Sequence, residues 1–342
     1  MDPYDYSFIK GSWIEVDKSN KIKEIAVIQE RVRVWKTFYP KCFELLEGRT
    51  KIDSIYYSNA IEQILAEPKH IVELLNGLQP SKQIDLKILG YRDALNFIDG
   101  RTKSNLCPEL FIDLHYTLMN RYDEKAGKIR SKSAPHSGVG VMGAVRNPTK
   151  PKNIMKELRE LCESGNSILG DSTTDPMNAI PMIVLDYINL SPFENANGRT
   201  YRLLLYYLMT HCGYDFVRYV PVDRILFEDA KNHTNAIYKS SEQWAGDERD
   251  YTPFFNNIID TLWKSARHLN SCFHDPSLGR LNKEERIRCV ANNIEGDFIK
   301  KDISDRLPDI SGVTIQQELS KMIDEGLLTR SGATKGTKYK KC

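Results

Sequence analysis

The sequence predicts a mainly α-helical fold that ends in a small module of three helices and a hairpin. Three observations carry this reading. Apolar residues recur at helical spacing along most of the chain. Prolines and glycines punctuate the ends of those runs. One internal stretch, Gly127 to Asn147, breaks the pattern with glycines at 127, 138, 140 and 143.

Taken in order, Glu24 to Tyr39 places Ile25, Val27, Ile28, Val32, Val34 and Trp35 at near-helical spacing and stops before Pro40. Ile52 to Leu65 follows, then His70 to Leu78 between Pro68 and Pro80. Ile84 to Ile98 repeats the pattern up to Gly100, and Pro108 opens a helix with Leu110, Phe111, Leu114, Leu118 and Met119 on one side. Gly127 to Asn147 intersperses Ile129, Val139, Val141 and Val145 among small residues, as an exposed hairpin does. Helices resume at Asn153 to Ser167, Asp175 to Asn189, Asn197 to Cys212, Arg224 to Tyr238 and Tyr251 to Cys272. A break is expected at Asp275 to Arg280. Beyond it, helices are expected at Glu284 to Phe298, Ile303 to Leu307 and from Ser311-Gly312-Val313-Thr314 to Glu325, then two short strands around a glycine-containing turn. That order is the order of a winged helix-turn-helix.

With 342 residues the chain has room for two or three domains. Its 41% hydrophobic and 27% charged residues exclude a disordered chain. Forty-eight Lys and Arg against 46 Asp and Glu give a net charge of +2, which excludes a chain basic over its whole surface but not one with a single basic patch. No apolar run approaches the ~18 residues of a membrane helix. The start, Met1 to Asp5, lacks the basic and apolar regions of a signal peptide. The seven cysteines (42, 107, 162, 212, 272, 289 and 342) form no CxxC pair. They fit a reducing cytoplasm, as small buried hydrophobes, better than a disulfide framework or a zinc site.

The chemistry concentrates in Leu190-Ser191-Pro192-Phe193-Glu194-Asn195-Ala196-Asn197-Gly198-Arg199-Thr200-Tyr201-Arg202. A buried helix ends in a short loop that feeds a second helix near Asn197. Small residues at 196 and 198 let main-chain N–H groups approach a ligand at the positive end of that helix. Arg199 and Arg202 share one face. On these grounds the stretch is a phosphate cradle or, equally, a capped helix with two surface arginines.

The segment resembles the signature of the Fic (Fido) family, His-x-Phe-x-Asp/Glu-Gly-Asn-Gly-Arg-x-x-Arg, at Phe193, Asn197, Gly198, Arg199 and Arg202. The likeness runs from about residue 50 to the end. It implies a Fic-type helical core with a β-hairpin flap, which transfers AMP from ATP to a hydroxyl side chain of a target protein. The implied division is 1–100 for an N-terminal helical region with an inhibitory helix, 101–275 for the Fic domain and 280–342 for the winged helix. In that scheme the signature His is the general base, the acidic residue holds magnesium, the Asn, the glycines and the first Arg make an anion hole, and the last Arg holds the γ-phosphate.

Three positions depart from the pattern. Ser191 stands in the place of the His, and a hydroxyl is no base at neutral pH; losing a general base costs ~10²–10⁴ in rate. Asn195 stands in the place of the metal ligand, and a neutral amide is a weak partner for magnesium, so nucleotide affinity is expected to depend little on that ion. Ala196 for Gly adds one methyl group. Glu194, turned ~100° away on a helical turn, is a poor substitute ligand.

Upstream, Ser58-Asn59-Ala60-Ile61-Glu62 resembles the family's inhibitory helix, Ser/Thr-x-x-x-Glu, which implies a Glu62–Arg202 pair that blocks the γ-phosphate. The alternative is a solvated glutamate. The 127–147 hairpin corresponds to the flap that docks a target by main-chain pairing, around Val139–Met142. His136, beside it, reads as a solvated loop residue rather than a replacement base, and His115 as structural. The remaining histidines have no ligand spacing, so no His-based metal site is expected. Tyr238 is a candidate for the adenine pocket, with core packing the stronger reading. In the C-terminal module, Arg330, Lys335, Lys338, Lys340 and Lys341 make a basic wing, and Gln316 and Gln317 suit adenine edges. DNA binding there competes with a protein-docking or dimerising role.

The expectation is therefore a cytoplasmic adenylyltransferase-like protein that binds ATP, is held off by Glu62 and is weakened at Ser191 and Asn195. The alternative is an inactive nucleotide-binding or DNA-binding transcriptional regulator. Expected partners are a target protein on the flap, DNA at the winged helix, and in one alternative a second copy of the chain, but no membrane.

Overall fold

The computed structural model describes residues 4–10, 14–133, 148–242, 244, 249–274, 282–294, 296–307, 310–332 and 337–341. The protein is mainly helical. Among the described residues eleven α-helices come first: α1 (Val16–Phe38), α2 (Pro40–Ile61), α3 (Pro68–Leu75), α4 (Gln83–Asp99), α5 (Pro108–Met119), α6 (Ile154–Leu169), α7 (Pro176–Leu190), α8 (Asn197–His211), α9 (Val222–Glu228), α10 (Ala230–Ser241) and α11 (Thr252–His274). They share one apolar core that draws on residues from Tyr4 to Leu269. A second, separate core runs from Ile287 to Tyr339. It belongs to α12 (Lys283–Asn293), β1 (Phe298–Ile299), α13 (Lys300–Ser304), α14 (Gly312–Asp324), β2 (Leu328–Ser331) and β3 (Lys338–Lys341). The three strands form an antiparallel sheet in the order β1-β3-β2.

Helix α7 sits at the centre. Every residue from Ala179 to Leu190 is buried, the pattern of a helix covered on all sides. It packs against α6, α8 and α11, while α1 lies along α11 and α2 along α9. The buried carboxyl in α7, Asp186, accepts hydrogen bonds from the Tyr6 and Tyr251 hydroxyls. Burial pushes its pKa up to about 7, against the pull of Arg249.

Several element boundaries differ from the sequence expectation, and four of them have a visible cause. Helix α1 begins at Val16 because Lys18 and Lys21 both reach Asp260 on α11, at 2.7 and 2.8 Å, and Ile22 enters the core. Helix α2 begins at Pro40, where the ring's fixed φ suits a first turn and Phe43 stacks edge-on against Tyr219 at 4.7 Å. The expected helix from Arg224 to Tyr238 is divided at Asp229, whose φ of −113° and ψ of 28° leave helical geometry. The first C-terminal helix stops at Asn293, and Phe298 instead pairs with Tyr339 in the sheet.

The end of α2 sets up everything that follows. Gln63 takes a left-handed φ of 58°, the Ile64 N–H returns to the Asn59 carbonyl at 3.0 Å and the Gln63 N–H to Ala60 at 3.0 Å. This Schellman closure stops the helix one residue before Gln63, so Glu62 stands at the cap with Ser58 one turn behind it. Of the 127–147 hairpin, residues 134–147, including His136 and Val139–Met142, lie outside the described residues. Just before that segment, Ile129 bridges antiparallel to Phe193, and the Arg130 N–H donates to the Pro192 carbonyl at 3.0 Å.

Candidate functional site

The loop between α7 and α8 is built from contacts among its own residues. The Asn197 side chain grips Phe193 in both directions, accepting from its N–H at 3.1 Å and donating to its carbonyl at 2.7 Å. Ala196, the residue before α8, takes φ 58° and ψ 12°. The Ala-for-Gly change is therefore a matter of backbone rather than bulk, because the left-handed region costs a β-carbon-bearing residue roughly 1–2 kcal/mol. Ser191 is also left-handed, at φ 42°, and is 3% exposed. Its hydroxyl donates to the Ile188 carbonyl at 2.5 Å, closing the end of α7.

Two residues from outside the signature hold this loop in place. His115 on α5 stacks on Phe193 with ring centroids 3.8 Å apart. Its Nδ1 accepts from the Gly127 N–H at 2.9 Å, which leaves Nε2–H to donate to the Asn195 carbonyl at 3.1 Å. Burial brings its pKa down to about 4, so the ring is neutral. Arg130, also buried, donates through Nε to the Ser191 carbonyl at 2.6 Å and through its terminal nitrogens to Lys132, Thr149 and Leu190 carbonyls. A cation there faces the negative end of α7. It joins both feet of the 134–147 segment to the signature loop. Sequence reading named His115 as structural without its partners and missed Arg130 altogether.

Behind the loop lie the two signature arginines, 4% and 3% exposed; they are not surface residues. Arg199 donates to the Tyr122 hydroxyl at 2.7 Å and lies 3.5 Å from the Asn59 Oδ1. It has no carboxylate partner among the described residues, and its buried Nε is unpaired. Arg202 donates to the Ser58 hydroxyl at 2.7 Å, to the Ser58 carbonyl at 2.8 Å and to Glu62 Oε1 at 3.0 Å. Asp223 at the start of α9, a residue the sequence did not single out, stands 3.8 Å from Arg202 Nε. Burial lifts the pKa of Asp223 to about 6 despite Arg202. Burial disfavours the charge on Arg202, but Tyr201, Glu62, Tyr91 and Asp223 outweigh it and hold its pKa above the ordinary range.

The Glu62 carboxylate completes the arrangement. A β-carbon built on Gly198 would lie 2.1 Å from Glu62 Oε1, so the carboxylate rests directly on the first turn of α8. That puts a carboxylate beside the N-terminal turn of α8, where main-chain N–H groups lack helical partners. The structure thus brings Ser58, Glu62, Asn197, Gly198, Arg199 and Arg202 together. Tyr238 is half-buried and packs against the main core.

The residues at the position implied for magnesium do not fit that ion. Asn195 is exposed and neutral, and its main-chain carbonyl is engaged by His115. The neighbouring Glu194 carboxylate is paired with Lys125. Hard dications select charged oxygen donors, and neither side chain offers a free one.

In the C-terminal unit, Gln316 donates to the Tyr339 hydroxyl at 3.0 Å and is tied into the fold, while Gln317 is exposed. Arg330, Lys338 and Lys340 are exposed on β2 and β3. Lys341 instead caps α12 through the Asn292 and Ile294 carbonyls. No helix among the described residues is long and apolar enough to cross a membrane.

Comparison with known proteins agrees with the geometry. Residues 105–209 match the Fic/DOC family profile. The protein adenylyltransferase fic-1 of Caenorhabditis elegans is 27% identical over 171 residues, which cover 47% of this chain and 32% of that protein, so the chain spans about a third of the relative's length. Among solved structures, a Fic family protein from Desulfovibrio desulfuricans G20 superposes with a TM-score of 0.61 at 16% identity, over 96% of this chain and 97% of that one. A Fic domain containing signaling protein from Bacteroides thetaiotaomicron gives 0.59 at 18% identity, over 72% and 94%. At such identities the structural likeness speaks to fold alone. The profile match spans the α7–α8 loop, and residues 105–209 of the chain form a Fic/DOC (Fido) family domain.

Proposed function

We propose that the α8 N-terminus is a nucleotide-phosphate site of an adenylyltransferase-type protein, closed by Glu62 and weakened in its chemistry. The observation that carries this reading is the seat of the Glu62 carboxylate against Gly198 while it is paired to Arg202. A carboxylate placed there stands in for an anionic oxygen of the ligand. When ATP binds, its polyphosphate displaces that carboxylate and takes over the main-chain N–H groups and Arg202. Arg199, which has a buried, unpaired Nε and no carboxylate partner among the described residues, lies close by.

Group transfer from this site requires a base for the incoming hydroxyl. Ser191 is buried and donates its proton inward to Ile188, so it supplies none. The signature loop and its arginines bind and orient the nucleotide, and Ser191 does not activate the acceptor. The test is transfer of labelled AMP to candidate hydroxyl-bearing proteins by Glu62→Gly and by the triple variant Glu62→Gly, Ser191→His, Asn195→Asp. The triple variant is expected to transfer label, and the single variant to be slower by ~10²-fold or more. Equal rates would show that a base other than residue 191 serves, and no transfer by either would count against the reaction class.

A second reading rests on the exposed Arg330, Lys338 and Lys340 of the hairpin, which suit phosphate contacts of a winged helix on DNA. A mobility shift with duplex DNA that weakens when these three are changed to Ala would support it. Engagement of Gln316 by Tyr339 leaves Gln317 as the exposed amide for base contacts.

A further inference from the structure

Helix α12 of the C-terminal unit packs on α2, the helix capped by Glu62. Their junction borders a cavity of about 380 Å³, lined by Cys42, Leu46, Arg49 and Asp53 from α2 and by Glu285 from α12. Cys289 lies one turn beyond Glu285 on the same face of α12, which directs it at α2. From facing helices, Cys289 acts on the Cys42 side chain as a close neighbour that holds its thiol below the ordinary range. Both are free.

We propose that Cys42 and Cys289 form a redox modification site, a dithiol that closes to a disulfide across the junction of the two units when it meets a small disulfide such as oxidised glutathione. One Cys thiolate attacks a glutathione sulfur, a mixed disulfide forms and one glutathione thiolate leaves with a proton. The second cysteine, having given up its proton, attacks the mixed disulfide. The protein S–S bond forms and the second glutathione leaves. Two protein thiols are oxidised and one glutathione disulfide is reduced to two thiols.

The electrostatics favour this pair over Cys162 and Cys212. Cys289 holds the Cys42 thiol below its ordinary range, against the effect of burial, and so favours the attacking thiolate. Burial pushes Cys162 well above that range and Cys212 up to about 12, which keeps both protonated and unreactive. The cavity beside Cys42 gives a small oxidant a route to the pair. The resulting bridge fastens the C-terminal unit to the helix that carries Ser58 and Glu62.

The experiment exposes the full chain to a graded ratio of oxidised to reduced glutathione, then reads intact mass and a peptide map under non-reducing conditions. The expected result is loss of two hydrogen atoms from the monomer, one cross-linked peptide containing Cys42 and Cys289, and a rise in thermal midpoint that reductant reverses. Cys42→Ser and Cys289→Ser abolish all three, and Cys107→Ser and Cys162→Ser abolish none. Cys289 is half-buried, so its variant serves if Cys42→Ser folds poorly. No loss of hydrogen, loss that persists in Cys289→Ser, or a bridge mapped to any other pair overturns the proposal.

Discussion

Glu62 and Gly198 are neighbours that leave no room for a methyl group: a β-carbon on Gly198 would stand 2.1 Å from Glu62 Oε1 and 3.0 Å from its Cδ. Position 198 therefore admits a side chain only if Glu62 moves away. Gly198→Ala in the wild-type chain is expected to lower stability by about 1–3 kcal/mol, through strain or through loss of the Glu62–Arg202 pair. In a Glu62→Gly background the same change should cost much less. A double-mutant cycle by urea denaturation measures the coupling, and additive effects would contradict the contact.

Ala196 holds a left-handed conformation that glycine adopts freely. Ala196→Gly is expected to raise stability by up to about 1 kcal/mol, once the greater freedom of glycine in the unfolded chain is subtracted. Thermal denaturation checks it. A clear loss of stability would mean that the methyl packs more tightly than its half-buried position implies.

Arg130 directs its guanidinium at main-chain carbonyls, and no carboxylate pairs with it among the described residues. Arg130→Ala is expected to destabilise the fold by roughly 3 kcal/mol, since it leaves the carbonyls of Ser191, Leu190 and Thr149 without this donor. Lys, a single point of charge, should recover less than half of that. Full rescue by Arg130→Lys would show that charge rather than the planar fork matters.

The neutral state of His115 is a pH prediction. Its folded pKa of about 4 lies below the ordinary 6.5. Between those values the unfolded chain binds the proton and the folded chain does not. The stabilising contribution is complete above pH 6.5 and is lost as pH falls towards 4, by roughly 3 kcal/mol in all. Nitrogen NMR should show an Nε2–H tautomer that persists below pH 5. A ring that titrates near 6.5 would contradict the burial and the two hydrogen bonds described for it.

The sequence made parts of the site legible because those parts are local. Ser58 and Glu62 are one helical turn apart, and Arg199 and Arg202 share a face, so spacing alone set each pair together. The pairing of Glu62 with Arg202 came from the family resemblance, because nothing in either segment identifies its partner 140 residues away. Arg130 and Asp223 were illegible for a physical reason. One binds main-chain carbonyls, which every residue has, and the other gains its role from burial beside Arg202. Helix starts were misread where long-range contacts overrode local composition, as in the Lys18 and Lys21 turn held by Asp260.

The central claim is that Glu62 occupies the place of a nucleotide oxygen, and titration calorimetry of ATP into the wild type and Glu62→Gly tests it most directly. Asp223 remains to balance Arg202 in the variant, so the fold should persist. The account predicts affinity stronger by about tenfold or more, equivalent to ~1.4 kcal/mol, in Glu62→Gly. Equal affinity in the two chains, or no binding by either, would contradict it.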